Sequence, residues 1–148
     1  WWTIPAEKAK NGIPHRVPLS RLAMEILGEL KDLSGESPWL FPSPRDGQHI
    51  TETSVDHAVR VNAEHFGIDH FTPHDLRRTS ASMMTASGTQ RLTVSKVLNH
   101  VETGITSVYD RHSYDKEKRS ALRSWGSKLE TILGHKEPNK VISLRGNR

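Results

Sequence analysis

The sequence predicts a mostly α-helical domain with a small antiparallel β-hairpin or sheet at its N-terminal edge, an α+β fold. Two observations support this. Residues 1–5 and 14–19 are short β-favouring runs, and Asn11-Gly12, a strong turn signal, lies between them. From residue 20 onward, apolar residues recur mainly at helical spacing. A chain of 148 residues can form one domain, or most of one, with a substantial core.

The first predicted helix begins after Ser20, a favourable N-cap residue, and ends before Ser34-Gly35. Residues 34–50 are rich in Pro, Ser and Gly and are predicted to form a loop. Within this loop, Trp39-Leu40-Phe41 is predicted to be a short buried run that holds the loop against the core. The apolar stripe of the helix consists of Leu22, Met24, Ile26, Leu27, Leu30 and Leu33.

A second helix is predicted to begin near Thr51 and to stop at Gly67. A third begins at Thr72, the candidate N-cap. Pro73 suits the first helical position, and Asp75 completes a capping-box pattern. The apolar face of the second helix consists of Val55, Ala58, Val59, Ala63 and Phe66.

Shorter helices are predicted at 90–98 and 103–112, followed by a last long helix at 115–133. The predicted domain therefore covers residues 1–133. Residues 134–148 show little apolar periodicity and are predicted to be a basic, flexible tail. The apolar stripe of the long helix consists of Ala121, Leu122, Trp125, Leu129, Ile132 and Leu133.

Composition excludes several classes of protein. Cysteine is absent, which excludes disulfides and thiolate metal sites and makes a cytoplasmic location the default expectation. No run approaches the roughly 18 to 20 apolar residues that a membrane helix needs. We therefore expect no membrane partner.

Charge is unevenly distributed along the chain. Residues 34–70 hold two basic and six acidic side chains, whereas residues 71–125 hold nine basic and five acidic ones. The calculated pI is about 9.6. A basic second half favours a polyanionic partner such as DNA, although many basic domains of this size do not bind DNA specifically.

His74-Asp75-Leu76-Arg77 is the first candidate for chemistry. Spacing of three residues places His74 and Arg77 on one face at the start of the third helix. A helix N-terminus attracts anions, and a guanidinium matches the geometry of phosphate oxygens. The alternative interpretation is a surface histidine and an arginine that is paired with an acidic side chain.

Leu98-Asn99-His100 ends a predicted helix, and Tyr109 follows nine positions after His100. Taken alone, a tyrosine beside a valine is usually a half-buried packing residue.

The ordered set of motifs resembles the tyrosine recombinase (phage integrase) family, whose pattern is Arg, Lys, His-x-x-Arg, His or Trp, and Tyr. Residues 4–20, with Lys10 before Asn-Gly, are similar to the hairpin that carries the family's lysine. Residues 72–79 are similar to its HxxR helix. Residues 97–100 are similar to its Leu-Gly-His, with Asn in place of Gly. The resemblance covers about residues 1–125, and the ordered set is far more specific than any single motif.

The resemblance implies the catalytic-core fold of the DNA breaking-rejoining enzymes and a reaction without metal or other cofactor. Tyr109 would attack the scissile phosphorus to form a 3′-phosphotyrosine, and Arg77 would bind the nonbridging oxygens. Lys10 would protonate the departing 5′-oxygen. His100 would donate a hydrogen bond to the phosphate, and His74 would orient or assist proton transfer at Tyr109. Each role is one that phosphodiester cleavage requires.

The family's first arginine lies upstream of the hairpin lysine, and the chain begins at Trp1 without it. We therefore expect residues 1–133 to be a C-terminal catalytic domain that is incomplete at its N-terminus and does not cleave DNA alone. The family implies double-stranded attachment sites of a prophage or similar element as substrate, and a homotetramer on paired sites. The basic tail after Gly134 is either a docking segment for a neighbouring subunit or a disordered end.

Several assignments have rivals. Lys8 competes with Lys10, and Tyr114 competes with Tyr109, although Lys10 immediately precedes Asn-Gly and Tyr114 lies fourteen residues after His100. The candidates for contacts with DNA phosphates are Arg16, Arg78, Lys96 and Arg111.

Other functions remain open at this stage. A type IB topoisomerase would use the same nucleophile and phosphate clamp but would relax supercoils without a specific site. A non-catalytic DNA-binding module would use the tyrosine only for packing. A zinc site is disfavoured, because the chain has neither Cys nor HExxH and the nearby histidines, His57, His65, His70 and His74, are irregularly spaced.

Overall fold

The computed structural model describes residues 1–45, 47–101, 109–110 and 112–134, and it confirms a mostly helical fold with a small antiparallel sheet. Most of the predicted helix at 103–112 and nearly all of the predicted tail lie outside these residues. The elements in chain order are β1 (Trp2–Ile4), β2 (His15–Val17), α1 (Arg21–Ser34), α2 (Glu52–Val61), α3 (Ala63–Phe66), α4 (Pro73–Ala86), α5 (Arg91–Val97) and α6 (Asp115–Ile132).

Helix α6 is the centre of the fold, since it packs against α1, α4, α5 and β2. Ala121 on α6 is buried together with one apolar side chain from each of α1, α4 and α5, namely Leu22, Met84 and Val94. The core therefore lies between α6 and these three helices. Burial of these apolar side chains is the main favourable contribution to packing.

Two buried charges hold the two ends of α6. Lys118 Nζ donates to the Arg16 carbonyl at 2.9 Å and lies 3.2 Å from Asp115. Glu130, only 3% exposed, accepts from Arg21 at 3.0 Å. Because an unpaired buried charge is strongly unfavourable, these partners fix the start of α6 on β2 and its end on the start of α1.

Local helix signals in the sequence proved accurate. Ser20 accepts a hydrogen bond from Ala23 N at 3.2 Å and caps α1 as predicted. The capping box at the start of α4 is complete, because Asp75 N donates to Thr72 Oγ1 at 3.3 Å and Thr72 N donates to Asp75 Oδ2 at 3.0 Å. The hydrogen bond from the Thr72 hydroxyl also lowers the pKa of the Asp75 carboxyl.

The predicted hairpin is present. Strands β1 and β2 pair antiparallel, with Thr3 opposite Arg16, and residues 5–14 connect them, with a turn closed by the hydrogen bond from Gly12 N to Ala9 O at 2.9 Å. A short 3₁₀ turn, Ala6–Lys8, occupies the first half of this connection. Gly12, with φ of 68°, lies in the second half. Lys10 therefore lies on a structured loop, which we call the lysine loop (residues 5–14).

Two predictions about apolar burial were wrong. In α1, Met24, Ile26 and Leu33 are exposed, the last to 84%, because only the Leu22 side of the stripe faces α6. The run Trp39-Leu40-Phe41 is also exposed. Its loop bonds to itself instead, through the Pro42–His49 bridge, and the run borders an open apolar groove near the N-terminal strand.

The second predicted helix divides into α2 and α3 at Asn62, and no residue of either helix is buried. Its end is as predicted, since Gly67 adopts the left-handed conformation after α3. Phe66 packs edge-on against Phe71, with ring centroids 5.2 Å apart.

In α6, the first part of the predicted apolar stripe is covered, whereas Ile132 is exposed. No helix in the described ranges is both long and apolar enough to cross a bilayer.

Gly126→Ala should destabilise the fold. A Cβ at Gly126 would lie 2.7 Å from Ser20 Cβ, so α6 and the start of α1 would have to separate, and we expect a loss of about 1–3 kcal/mol in the free energy of unfolding. Gly28→Ala is the matched control, because a Cβ there meets nothing within 4 Å and should stabilise α1 by about 0.5–1 kcal/mol. Denaturant unfolding monitored by circular dichroism measures both, and equal effects would contradict this packing.

Candidate active site

Helix α5 ends in a tight turn at Leu98-Asn99-His100, which backbone hydrogen bonds close. Asn99 has φ of 55°, His100 N donates to Ser95 O at 3.1 Å, and Asn99 N donates to Lys96 O at 3.3 Å. These two bonds and the left-handed residue form a Schellman C-cap. Glycine is the usual residue there, and asparagine is among the few others that adopt this conformation with little strain.

Three consecutive carbonyls at this helix end accept hydrogen bonds from three different segments of the chain. His15 Nε2 of β2 bonds to Val97 O at 3.1 Å, and Arg77 of α4 donates to Leu98 O. Asn11 Nδ2 of the lysine loop donates to Asn99 O at 2.9 Å. A helix C-terminus leaves its last carbonyls without intrahelical partners and carries partial negative charge, so it attracts such donors. We call this arrangement the carbonyl clamp (Val97, Leu98 and Asn99).

The carbonyl clamp brings three of the predicted site residues to one place. Lys10 directly precedes Asn11, His100 directly follows Asn99, and Arg77 is itself a donor to the clamp. All three side chains are exposed to solvent. The backbone positions of Lys10 and His100 are thus close to the clamp that Arg77 contacts. Lysine, arginine and histidine are residue types that bind phosphate groups.

His74 lies one helical turn before Arg77, in the first turn of α4, and its side chain is also exposed. The contact with Leu98 O occupies part of the guanidinium of Arg77, which has five N–H donors in total. The clamp therefore orients Arg77 without using all of its capacity to bind an anion.

Tyr109 is 80% exposed. Its neighbour Asp110 accepts a hydrogen bond from the Tyr114 hydroxyl at 2.7 Å and lies 3.4 Å from Lys96 Nζ on α5. The hydrogen bond from Tyr114 is the main cause that lowers the pKa of Asp110. Asp110 thus fixes the chain beside Tyr109 to α5, the helix that ends in the clamp. Among the described residues, no hydrogen bond or ring contact joins Tyr109 to Arg77 or His100.

The structure gives partners to three of the four predicted DNA-contacting residues. Arg16 pairs with Asp115 at 2.6 Å and lies over the Trp1 ring, and Arg78 lies 3.6 Å from Asp75. Lys96 is engaged by Asp110 and lies over the Tyr114 ring, with its side chain only 24% exposed. The fourth candidate, Arg111, lies outside the described residues.

No group of three or more histidine, aspartate or glutamate side chains in the described part of the chain could hold a metal ion. The four histidines considered for zinc, His57, His65, His70 and His74, therefore do not gather into such a site.

Sequence reasoning missed three residues of the site: Asn11, His15 and Asn99. Asn11 was interpreted only as part of a turn, and His15 as one of nine histidines. His15 is buried, and burial is the main cause that lowers its pKa, with Lys118 and Arg77 nearby acting in the same direction. The hydrogen bond to Val97 O opposes this shift. The only available signal was the replacement of Gly by Asn at position 99.

The phage integrase family model matches residues 1–116 of the chain. Prophage integrase IntZ of Escherichia coli K12 is 32% identical over 133 residues, covering 88% of this chain and 32% of IntZ. Tyrosine recombinase XerD of Rhizobium meliloti is 32% identical over 108 residues, covering 69% of this chain and 35% of XerD. The integrase of Enterobacteria phage P4 is 28% identical, covering 97% of this chain and 35% of that protein.

The chain thus spans about a third of the length of these curated relatives. No solved structure matches it significantly.

Lowering the pH should weaken the fold through His15. Its folded pKa lies below the ordinary value of 6.5, so the unfolded state binds more protons as the pH falls below about 7. The free energy of unfolding should therefore decrease from pH 7.5 to pH 5.5. His15→Gln, which donates a hydrogen bond without titrating, should flatten that part of the curve.

Denaturant unfolding at a series of pH values measures this effect. The same substitution at exposed His65 controls for the loss of a histidine elsewhere. Identical pH curves for the original chain and His15→Gln would show that His15 is not held neutral by burial.

Proposed function

Because this chain belongs to the phage integrase family, we propose that it supplies the catalytic site of a site-specific recombinase that cuts and rejoins DNA through a 3′-phosphotyrosine. The observation that best supports the proposal is the carbonyl clamp, to which Arg77 and Asn11 donate at adjacent residues, with Lys10 next to Asn11 and His100 next to Asn99 in the sequence. The relatives are integrases and tyrosine recombinases by name.

In the proposed cleavage step, Tyr109 Oη forms a bond to the scissile phosphorus as the bond from phosphorus to O5′ breaks. Lys10 gives its proton to O5′, and the phenolic proton passes to His74 or to water. Arg77 and His100 stabilise the charge that develops on the nonbridging oxygens. The phosphotyrosine retains the energy of the original phosphodiester, so religation reverses these transfers without ATP or another cofactor.

The contacts of the two tyrosines favour Tyr109 as the nucleophile. Tyr114 is half-buried, its hydroxyl donates to Asp110, and its ring lies edge-on against His112 with centroids 4.7 Å apart. A nucleophile must present its hydroxyl to the substrate, and Tyr109 is exposed, with no such hydrogen bond or ring contact among the described residues. Tyr114 instead supports the residue next to Tyr109.

The two lysines of the lysine loop differ in a similar way. Lys8 belongs to the 3₁₀ turn, whereas Lys10 adjoins Asn11, which contacts the end of α5. Lys10 is therefore the lysine whose sequence neighbour contacts the residue before His100. This supports Lys10 as the proton donor.

The proposed substrate is a double-stranded attachment site, bound in the cytoplasm by a homotetramer. Arg16 and Arg78 remain candidates for phosphate contacts, because each is largely exposed and could exchange its carboxylate partner for a phosphate. Lys96 is a weaker candidate for a phosphate contact, because it is less exposed and holds Asp110.

Tyr109→Phe should abolish the covalent adduct on a nicked suicide substrate, because phenylalanine has no oxygen to bond to phosphorus. DNA affinity should remain close to that of the original protein. The assay uses the longest natural polypeptide that contains this chain, because the family pattern includes an arginine upstream of the lysine. Denaturing gel electrophoresis of labelled DNA detects the adduct.

Tyr114→Phe is the matched control. It should retain the adduct but lower thermal stability, because Asp110 loses the hydrogen bond from the Tyr114 hydroxyl. An adduct that survives in Tyr109→Phe and disappears in Tyr114→Phe would transfer the nucleophilic role to Tyr114.

Arg77→Lys should slow cleavage by about a hundredfold to a thousandfold while leaving DNA affinity near normal. An ammonium keeps the charge but cannot bond to Leu98 O and present a planar fork to the phosphate together. Arg78→Lys, one position further along α4, is the control. A phosphate contact away from the reacting group needs mainly the positive charge, which lysine keeps, so the rate should change little. Single-turnover cleavage measures both, and equal rates for the two variants would contradict the assignment of Arg77.

A further inference from the structure

Asn11 and Asn99 form a closed pair across the junction between the lysine loop and the end of α5. Asn11 Nδ2 donates to Asn99 O at 2.9 Å, and Asn99 Nδ2 donates to Asn11 Oδ1 at 3.3 Å. Both residues are half-buried, and 88 positions separate them in the sequence. Two hydrogen bonds between one pair of residues restrict their relative orientation more than a single bond would.

The side chain of Asn99 is not needed for the helix cap. The Schellman turn requires only the left-handed backbone, which glycine adopts without strain and asparagine adopts at a modest cost. The described polar contact of the Asn99 side chain is the one to Asn11. Its contribution to the structure is therefore this bridge.

Asn11 also organises the loop that carries Lys10. Its Oδ1 accepts from Ile13 N at 3.1 Å, and Gly12 N donates to Ala9 O at 2.9 Å, so the chain is fixed on both sides of Lys10. The ammonium of Lys10 makes no hydrogen bond or ion pair with the residues that the structure describes. The backbone that Asn11 holds therefore fixes the point from which the Lys10 side chain extends.

We propose that Asn11 and Asn99 are positioning residues that hold Lys10 in register with His100, so that Lys10 can protonate the leaving 5′-oxygen of the phosphate that His100 contacts. Lys10 adjoins Asn11 and His100 adjoins Asn99, so the bridge sets the separation of the two groups. The inference rests on the proposed function. A shift of about 1 Å in such a group is enough to slow a reaction on the order of a hundredfold.

The test compares two suicide substrates that differ in one atom. One has oxygen at the scissile 5′-position, and the other has a bridging sulfur there. A thiol has a pKa of about 8.5 and leaves as a thiolate without a proton donor, so only the oxygen substrate needs Lys10. Single-turnover cleavage is measured for Asn99→Gly, Asn11→Ala and Lys10→Ala in the longest natural polypeptide that contains this chain.

Asn62→Ala is the matched control, because Asn62 Nδ2 donates to the Ala58 carbonyl at the end of α2, away from the clamp. Circular dichroism melts accompany every variant. Asn99→Gly is especially informative, since it removes the bond to Asn11 while glycine keeps the left-handed cap, so stability should change little.

On the oxygen substrate, we expect cleavage to slow about tenfold for Asn99→Gly and about a hundredfold for Asn11→Ala. Lys10→Ala should be at least as slow as Asn11→Ala. On the sulfur substrate, all three variants should cleave within about threefold of the original protein. Asn62→Ala should match the original protein on both substrates.

Two results would overturn the inference alone. In the first, the sulfur substrate restores cleavage by Lys10→Ala, but the two asparagine variants are equally slow on both substrates. Their effect would then lie in folding or phosphate binding and not in the position of Lys10. Unchanged cleavage of the oxygen substrate by both asparagine variants would show that Lys10 needs no bridge. If sulfur fails to restore Lys10→Ala, Lys10 is not the proton donor, and that assignment in the proposed function falls together with the inference.

Discussion

The site depends on the end of helix α5, where three backbone carbonyls in a row need hydrogen-bond donors. A helix end that is not fully open to water must satisfy these groups, and no residue of the same helix can do so. In this chain the donors come from the lysine loop, from β2 and from α4. One local requirement of a helix terminus thereby brings together segments that are remote in the sequence.

The hydrogen bonds at the end of α5 are important for holding the site together because the apolar core is small. Among the described residues, the buried apolar side chains are Leu22, Met84, Val94 and Ala121. The hairpin contributes none of them and is held mainly by polar links, including His15 to Val97 and Lys118 to the Arg16 carbonyl. Polar links of this kind have strict geometry, which suits a loop that must present one lysine to a phosphate.

Features that depend on local rules could be predicted from the sequence. The capping box of Thr72 and Asp75, the cap at Ser20 and the long last helix follow from neighbouring residues, and all are present. The order of Lys10, HxxR, His100 and Tyr109 was enough to identify the family, which the comparisons confirm. The roles of those residues stay predictions.

Features that depend on contacts between distant segments could not be predicted. Hydrophobicity suggested that Trp39 and Leu33 are buried, but no described element covers them, and both are exposed. The link from Asn11 to Asn99 spans 88 positions, and the left-handed backbone at Asn99 was visible only indirectly, as an asparagine where glycine is usual. Side-chain bonds to a helix end leave no periodic pattern, so a single sequence does not reveal them.

The most direct measurement of the carbonyl clamp is an isotope-edited nuclear Overhauser spectrum of this chain in solution. The account predicts cross-peaks from the Asn11 side-chain amide to the Asn99 backbone, from the His15 ring to residue 97 and from the Arg77 guanidinium to residue 98. A spectrum that shows the contacts of α6 with α1 and α5 but lacks these three sets would contradict it.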